Sequence, residues 1–350
     1  MKILFGVAGQ GSGHATRADV VASYLESKGH KIKIVTYHQG LNYLAPKFDV
    51  EEIFGLRFFH KETRVDYPTT ILENIKKTPE ATKSLTRVKK LIDEFKPDII
   101  LTDFEPLSAL GSHLCKIPLI SIDNQHITTH GKIEYEKRWL PDYLLHRTGT
   151  STMAFKADAY ILTSFFDFDV VADNVYQVPP ILRREVLEHA TSNLGHILVY
   201  STTLDSNINQ IVDILKKMPE KFVIYGTNVS GKQKNCTFKE FSKDGFLNDV
   251  ATAKAIIGSA GLSLMTEALY FHKPYLALPI KRRFEQLLNS YYLKKLKYGD
   301  YSENLTQKDL NNFLSNISMY EEELSTYEET DNNQLYALLD KLLAKFTNNQ

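Results

Sequence analysis

Gly9-Gln10-Gly11-Ser12-Gly13-His14-Ala15-Thr16-Arg17 decides the fold because of what stands on either side of it. Before it, Lys2-Ile3-Leu4-Phe5-Gly6-Val7 is an almost unbroken apolar run, as expected of a strand covered on both faces. After it, Ala18, Val21, Ala22 and Leu25 recur at helical spacing, and Gly29 supplies a C-terminal stop. Strand, glycine turn and helix in that order open a parallel α/β layer.

The same alternation continues along the chain. Ile32, Ile34 and Val35 make a second strand, and a charged helix to Glu94 leads into Lys96-Pro97-Asp98-Ile99-Ile100-Leu101-Thr102-Asp103. Pro118-Leu119-Ile120-Ser121-Ile122-Asp123 follows the next helix, and Ala159 to Thr163 reads as the last strand of this half. Periodicity then fails at Val178-Pro179-Pro180-Ile181, where paired prolines favour extended backbone without ladder bonds. A second set begins at His196 to Tyr200 and continues through Lys221 to Tyr225, Ala255 to Gly258 and Pro274 to Pro279. The final stretch carries Leu335, Leu338, Leu339, Leu342, Leu343 and Phe346, a helical apolar stripe that must dock on something. The expected architecture is α/β: two doubly wound domains with a cleft between them, the first over 1–178, a linker over 179–190, the second over 191–328 and a helix over 329–350.

Composition narrows the function. In 350 residues, 42 Lys and Arg balance 42 Asp and Glu, so there is no cationic excess to hold a nucleic-acid backbone. Cys115 and Cys236 are too few for a disulfide framework and fit a reducing compartment. The N-terminal apolar run is too short for a signal peptide, and no stretch approaches the ~20 apolar residues of a membrane span. A cytoplasmic protein is expected.

In doubly wound sheets, ligands bind where strand ends meet helix starts, so the post-strand loops carry the chemistry. The first glycine loop is not a dinucleotide fingerprint. The third glycine of that motif would fall at position 14, which is histidine, and Thr36-Tyr37-His38 offers no acid for a ribose. No Gly-Lys-Ser/Thr triplet exists, so a Walker loop is absent too. His14 at a helix start sits in positive potential, which favours an uncharged ring able to take a proton from a hydroxyl. It could equally be a residue that only caps or packs. Asp103 is the natural orienting carboxylate, with Asp123 and Glu105 as rivals. In the second half, Gly258-Ser259-Ala260-Gly261-Leu262-Ser263-Leu264-Met265-Thr266-Glu267 reads as strand, small-residue turn and helix, with amides free to face a diphosphate. Glu267 suits the vicinal hydroxyls of a ribose, and Glu285 with Gln286 suits those of a sugar.

These segments together resemble the GT-B-fold glycosyltransferases, nearest in pattern to the peptidoglycan N-acetylglucosaminyltransferase (MurG-like) group and, more distantly, to plant and antibiotic UDP-glycosyltransferases. Gly11-Ser12-Gly13-His14-Ala15-Thr16-Arg17 is similar to the first-domain loop, and Lys96 to Asp103-Phe104 to the strand ending in the base-orienting aspartate. Phe246-Leu247-Asn248-Asp249-Val250-Ala251 resembles the uracil-holding segment, and Gly261 to Glu267 with Pro274, Pro279, Glu285, Gln286 and Asn289 the donor signature.

The resemblance implies two Rossmann-like domains and a C-terminal helix crossing back to the first. It implies His14 as base with Asp103. It also implies donor contacts at Gly11, Ser12 and Gly13, base contacts at Phe246 and Leu247, phosphate contacts at Ser259, Gly261, Leu262, Ser263 and Thr266, ribose at Glu267 and sugar at Glu285 and Gln286. The sequence departs from the family at Tyr200-Ser201-Thr202-Thr203, where a glycine-rich turn is usual, so Ser201 and Thr202 would substitute hydroxyls for amides. Tyr275 stands eight residues after Glu267, where many retaining relatives carry a second glutamate. That favours an inverting single displacement, with amide dipoles rather than a metal stabilising the leaving diphosphate. No cofactor is expected: a UDP-sugar is the substrate, and the acceptor is a hydroxyl of a glycan precursor or glycolipid.

Arg17, Asp123, Asn124 and Gln125 are the candidates for acceptor contacts. The triplet Asp167-Phe168-Asp169 resembles a metal clamp but stands far from the donor signature, and His126 and His130 lack the glutamate of a zinc helix. Metal ligands are therefore expected to be none. Tyr135 to Arg147 mixes Lys137, Arg138 and Arg147 with Trp139, Leu140, Leu144 and Leu145, as either an interfacial anchor at the inner membrane face or an ordinary packed helix would. Two other functions compete: a UDP-sugar 2-epimerase of the same fold, and a non-catalytic sugar-nucleotide-binding module.

Overall fold

The computed structural model describes residues 1–55, 60–61, 64–65, 67–200, 208–227 and 229–347. The first large sheet is formed by β1 (Lys2–Val7), β2 (Lys31–Thr36), β3 (Val50–Glu52), β4 (Ile99–Asp103), β5 (Leu119–Asp123), β6 (Ala159–Thr163) and β7 (Val175–Val178). Their spatial order is β7-β6-β5-β4-β1-β2-β3, parallel throughout, with Val7 opposite Asp103 and Gly6 opposite Val35. β1 lies at the reversal of strand order, so the loop after it opens at the switch point where such sheets bind ligands. β7 is an edge strand of four residues beyond the expected last one, too short for its alternation to stand out.

The second sheet holds β8 (His196–Tyr200), β9 (Lys221–Tyr225), β10 (Gly231–Gln233), β11 (Cys236–Phe238), β12 (Ala255–Gly258), β13 (Tyr275–Ala277) and β14 (Gly299–Tyr301). Its order is β10-β11-β9-β8-β12-β13-β14, and only β10 runs antiparallel. The central strands of both sheets are buried along almost their whole length, which explains their continuous Ile, Val and Leu runs.

The chain passes between the lobes twice, near Leu182 and near Asn332, and the two crossings bind each other. Leu182 N–H donates to Asn332 Oδ1 at 3.0 Å, and Asn332 Nδ2 returns a bond to the Leu182 carbonyl at 2.7 Å. The helix Asn333–Thr347 then lays Leu335, Leu339, Leu342 and Leu343 into the core of the first lobe, with Ile3, Phe5, Ala18 and Val21. Tyr336 stacks on Tyr24 at 3.9 Å between ring centres.

A second bridge joins the lobes directly. Tyr135 and Tyr143 each pack their rings 5.2 Å from Phe284, and Phe166 stacks on Tyr292 at 3.7 Å. Lys295 pairs with Glu134 and Arg138 with Glu303, each at 2.8 Å. The aromatic members of Tyr135 to Arg147 are thus spent on the other lobe, while Leu140, Leu144 and Leu145 stay 46%, 52% and 42% exposed. Among the described residues, no helix is long and apolar enough to cross a membrane. Asp169 of the Asp-x-Asp triplet pairs its exposed two-residue strand antiparallel to Gly131–Lys132 and lies 3.8 Å from Lys132.

Because Leu339 is fully buried in the first-lobe core, Leu339→Ala is expected to destabilise the protein by about 2–5 kcal/mol. Urea denaturation measures it, and an unchanged midpoint would show that the C-terminal helix contributes nothing to that core.

Candidate active site

Asp103 ends β4 and is wholly buried. Its carboxylate accepts from His14 Nδ1 at 2.7 Å, from Arg17 Nε at 2.8 Å and from Arg17 Nη2 at 2.7 Å. His14 and Arg17 stand one turn apart on the helix Ser12–Ser27, so one carboxylate fixes the start of that helix against the sheet. Burial works to lower the Arg17 guanidinium, but Asp103 outweighs it and keeps the group firmly charged. Arginine only donates, so although Arg17 Nη2 comes within 3.2 Å of His14 Nδ1, both must give their protons to the shared carboxylate. That leaves Nε2 as the His14 nitrogen able to take a proton, with the Gln125 amide 3.5 Å away. Phe104 lies parallel to the His14 ring at 6.2 Å and holds a left-handed φ of 56°, a costly conformation for a bulky residue.

The glycine loop allows this close packing. A β-carbon at Gly9 would meet the Tyr37 carbonyl oxygen at 1.8 Å, and Gly11 takes φ 94°, which L side chains rarely adopt. The rival carboxylates have other work. Glu105 caps the helix Pro106–Cys115, accepting from the Leu107 and Ser108 amides at 2.9 and 2.6 Å. Asp123 is fully buried and accepts from the His126 ring, the His126 amide and Ser121 Oγ. This corrects the expectation that Asp123 meets an acceptor: its oxygens are committed three residues along its own chain. Arg17 spends its guanidinium mainly on Asp103 while still lining the cleft described below.

The second lobe presents the opposite wall. The helix Leu262–Tyr270 starts at Gly261 with no side-chain cap, and the helix Ser12–Ser27 starts at Gly11 without one. These two helix starts oppose each other: a β-carbon on Gly13 would come within 2.8 Å of Ser263 Oγ. The small-residue turn is held from behind, Tyr275 OH donating to the Ser259 carbonyl at 2.7 Å and Asn289 Nδ2 to that of Ala260 at 3.0 Å. Between the lobes lies a narrow cleft, partly open to solvent. Gly13, Thr16 and Arg17 line it from the first lobe, Leu262, Ser263, Thr266 and Glu267 from the second, and Arg183 from the crossing segment.

Arg183 was not anticipated. It grips Glu267 through two bonds, Nε to Oε1 at 2.8 Å and Nη2 to Oε2 at 3.0 Å, so a ribose reaching Glu267 must share it with this cation. Burial raises the Glu267 carboxyl above its usual range even with Arg183 opposing. Its only mark in the sequence is an arginine pair directly after the proline linker. Glu285 closes the front of the cleft, its Oε1 accepting from Asn124 Nδ2 across the lobes at 3.1 Å. Burial works to raise its carboxyl, but Arg283 and Asn124 hold it below the ordinary value.

Other expected contacts are used differently. Gln286 turns its carbonyl inward to the Ile280 amide at 2.8 Å, pinning that loop. Phe246 and Leu247 are 7% and 5% exposed, the Phe246 ring lying edge-on to Tyr200 and Tyr225. Both side chains are thus packed inward, which leaves their backbone as the part able to meet a base. The open ring there is Phe241, 60% exposed and 5.3 Å from Phe246. Ser12 and Gly11 sit exposed at the helix start. Ser201 and Thr202 lie outside the described residues. Among the described residues, no three His, Cys, Asp or Glu side chains are grouped to hold a metal ion.

Solved structures of similar architecture include glycosyltransferases. The glycosyltransferase of kitacinnamycin superimposes with a TM-score of 0.73 at 13% identity, covering 97% of this chain and 98% of its own. MurG of Acinetobacter baumannii superimposes with a TM-score of 0.62 at 16% identity, over 97% and 99%. Both share the GT-B fold of two facing Rossmann-like lobes. An uncharacterized glycosyltransferase of Methanosarcina mazei is 25% identical over 335 residues, 85% of each chain. A sequence model described as glycosyl transferase family 1 matches residues 1–318, and the chain belongs to that family of glycosyltransferases.

Proposed function

We propose that the protein is an inverting, metal-independent glycosyltransferase that moves a hexose (N-acetylglucosamine, glucose or galactose) from a UDP-sugar to a hydroxyl of a glycan precursor or glycolipid. The observation that carries this reading is the pairing of His14 with buried Asp103 at one helix start, directly across a narrow cleft from the uncapped start of the helix Leu262–Tyr270. A diphosphate seated on the Leu262 and Ser263 amides would have its charge met by the helix dipole and by Arg183. Glu267 would take the ribose hydroxyls, Glu285 those of the sugar, and Phe241 would offer its ring to the base. His14 Nε2 would remove the acceptor's proton as its oxygen attacks the anomeric carbon, and the C1–oxygen bond to the diphosphate would break on the opposite face. Asp103 would hold the Nδ1–H tautomer and steady the imidazolium that forms, while Arg17 holds the Asp103 carboxylate in place. The outward leucines Leu140, Leu144 and Leu145, beside Arg147, would rest on an anionic lipid surface at the cytoplasmic face of a membrane.

A thermal-shift series of nucleoside diphosphates and their sugars tests the donor assignment. UDP and a UDP-hexose should raise the melting temperature most, since binding to the native state stabilises it. No shift with any of them would contradict a donor site. His14→Ala is expected to lower kcat by about 100-fold or more while leaving UDP affinity nearly unchanged. Full turnover in that variant would remove His14 as the base. Glu267→Ala is expected to weaken UDP binding by about tenfold, read by calorimetry, and unaltered affinity would take Glu267 out of the site. Chelation with EDTA should leave the rate unchanged, and a rate lost to EDTA and restored by a divalent ion would overturn metal independence.

A further inference from the structure

The turn after β5 directs three successive residues at the reaction centre. Asn124 bonds Glu285, Gln125 approaches His14, and His126 forms a second aspartate–histidine pair beside the first. His126 is 1% exposed and its Nδ1 lies 2.7 Å from Asp123 Oδ2. The ring therefore spends one nitrogen on a carboxylate, as His14 does, yet its Nε2 is buried without a hydrogen-bond partner. His146 has the same feature: its Nε2 is buried and unpartnered, and burial pushes the ring down to about 4, so it is uncharged at neutral pH. One turn further along the same face of the helix Leu140–Thr150, the buried hydroxyl of Thr150 also lacks a partner. His146 lies within electrostatic reach of His126, Asp123 and Glu285.

A buried polar atom without a partner is unfavourable, so three in this part of the fold call for a ligand that supplies the missing partners. An uncharged imidazole can accept a hydrogen bond from a hydroxyl at its unprotonated nitrogen. No three His, Cys, Asp or Glu side chains here are grouped as a cation would need. Aromatic rings stand beside both histidines: Phe104 edge-on to His126 at 5.9 Å and Tyr160 at 5.3 Å, and Phe284 at 5.9 Å from His146. Ring-shaped apolar faces beside hydroxyl-accepting nitrogens match a sugar ring, with its C–H face and its vicinal hydroxyls.

We infer that His126 and His146 form an acceptor subsite that selects a saccharide, gripping hydroxyls that neighbour the one being glycosylated, in preference to an alcohol with a single hydroxyl. This rests on the transferase reading above and specifies its acceptor.

The test is a UDP-release assay with UDP-N-acetylglucosamine, UDP-glucose and UDP-galactose as donors. Acceptors are p-nitrophenyl β-glucopyranoside and β-galactopyranoside, against p-nitrobenzyl alcohol as a single-hydroxyl control. His146→Phe removes the nitrogen and keeps the shape, and His126→Asn keeps a donor for Asp123, so both variants preserve the surrounding packing. Glycosides should be preferred, and each variant should raise glycoside KM about tenfold while UDP affinity moves less than twofold. A preference for p-nitrobenzyl alcohol, failure to use either glycoside in a chain that binds donor, or an unmoved glycoside KM in both variants overturns the subsite. Absence of any nucleotide-sugar binding would instead sink the parent reading.

Discussion

One buried carboxylate organises the catalytic half of this molecule. Asp103 has no solvent contact, and Arg17 and His14 supply the hydrogen bonds that its buried carboxylate needs. Removing either partner would leave a buried anion short of donors, which is far costlier than losing a surface pair. The same three-way contact fixes the tautomer of His14, ties the first turn of a helix to the central strand beside β1, and places the ring nitrogen at the cleft. Stability and chemistry are thus carried by the same bonds.

The second requirement is that the two lobes meet in a defined way. Two uncapped helix starts in opposition concentrate positive potential in a narrow gap, a natural seat for a diphosphate. The lobes are held there by the paired chain crossings at Leu182 and Asn332 and by the aromatic bridge of Tyr135, Tyr143 and Phe166 to the Phe284–Tyr292 face. Asn124 and Glu285 join the lobes at the front through a single hydrogen bond.

Much of this was legible from residues near one another in the chain. Strand runs such as Ile99 to Asp103, the glycine turns and the helical stripe from Leu335 to Phe346 each announce themselves through local spacing, and the two-lobed α/β fold follows from their order. What could not be read depends on contacts between distant segments. Arg183 reaches Glu267 over 84 residues of chain, and Tyr135 meets Phe284 across the lobes, with no local pattern to mark either. Asp123 repeats the strand-end position of Asp103, and only the histidine three residues later reveals that its oxygens are already taken. The Phe246 side chain, expected at a nucleotide, is instead part of an aromatic core that sequence spacing alone does not separate from a binding face.

The most direct measurement of this account is a crystal structure of the UDP complex. It should place both phosphates against the amides of Leu262 and Ser263, with His14 Nε2 facing the space where the sugar's anomeric carbon would stand. A nucleotide bound elsewhere, or phosphates held away from the gap between Gly13 and Ser263, would contradict it.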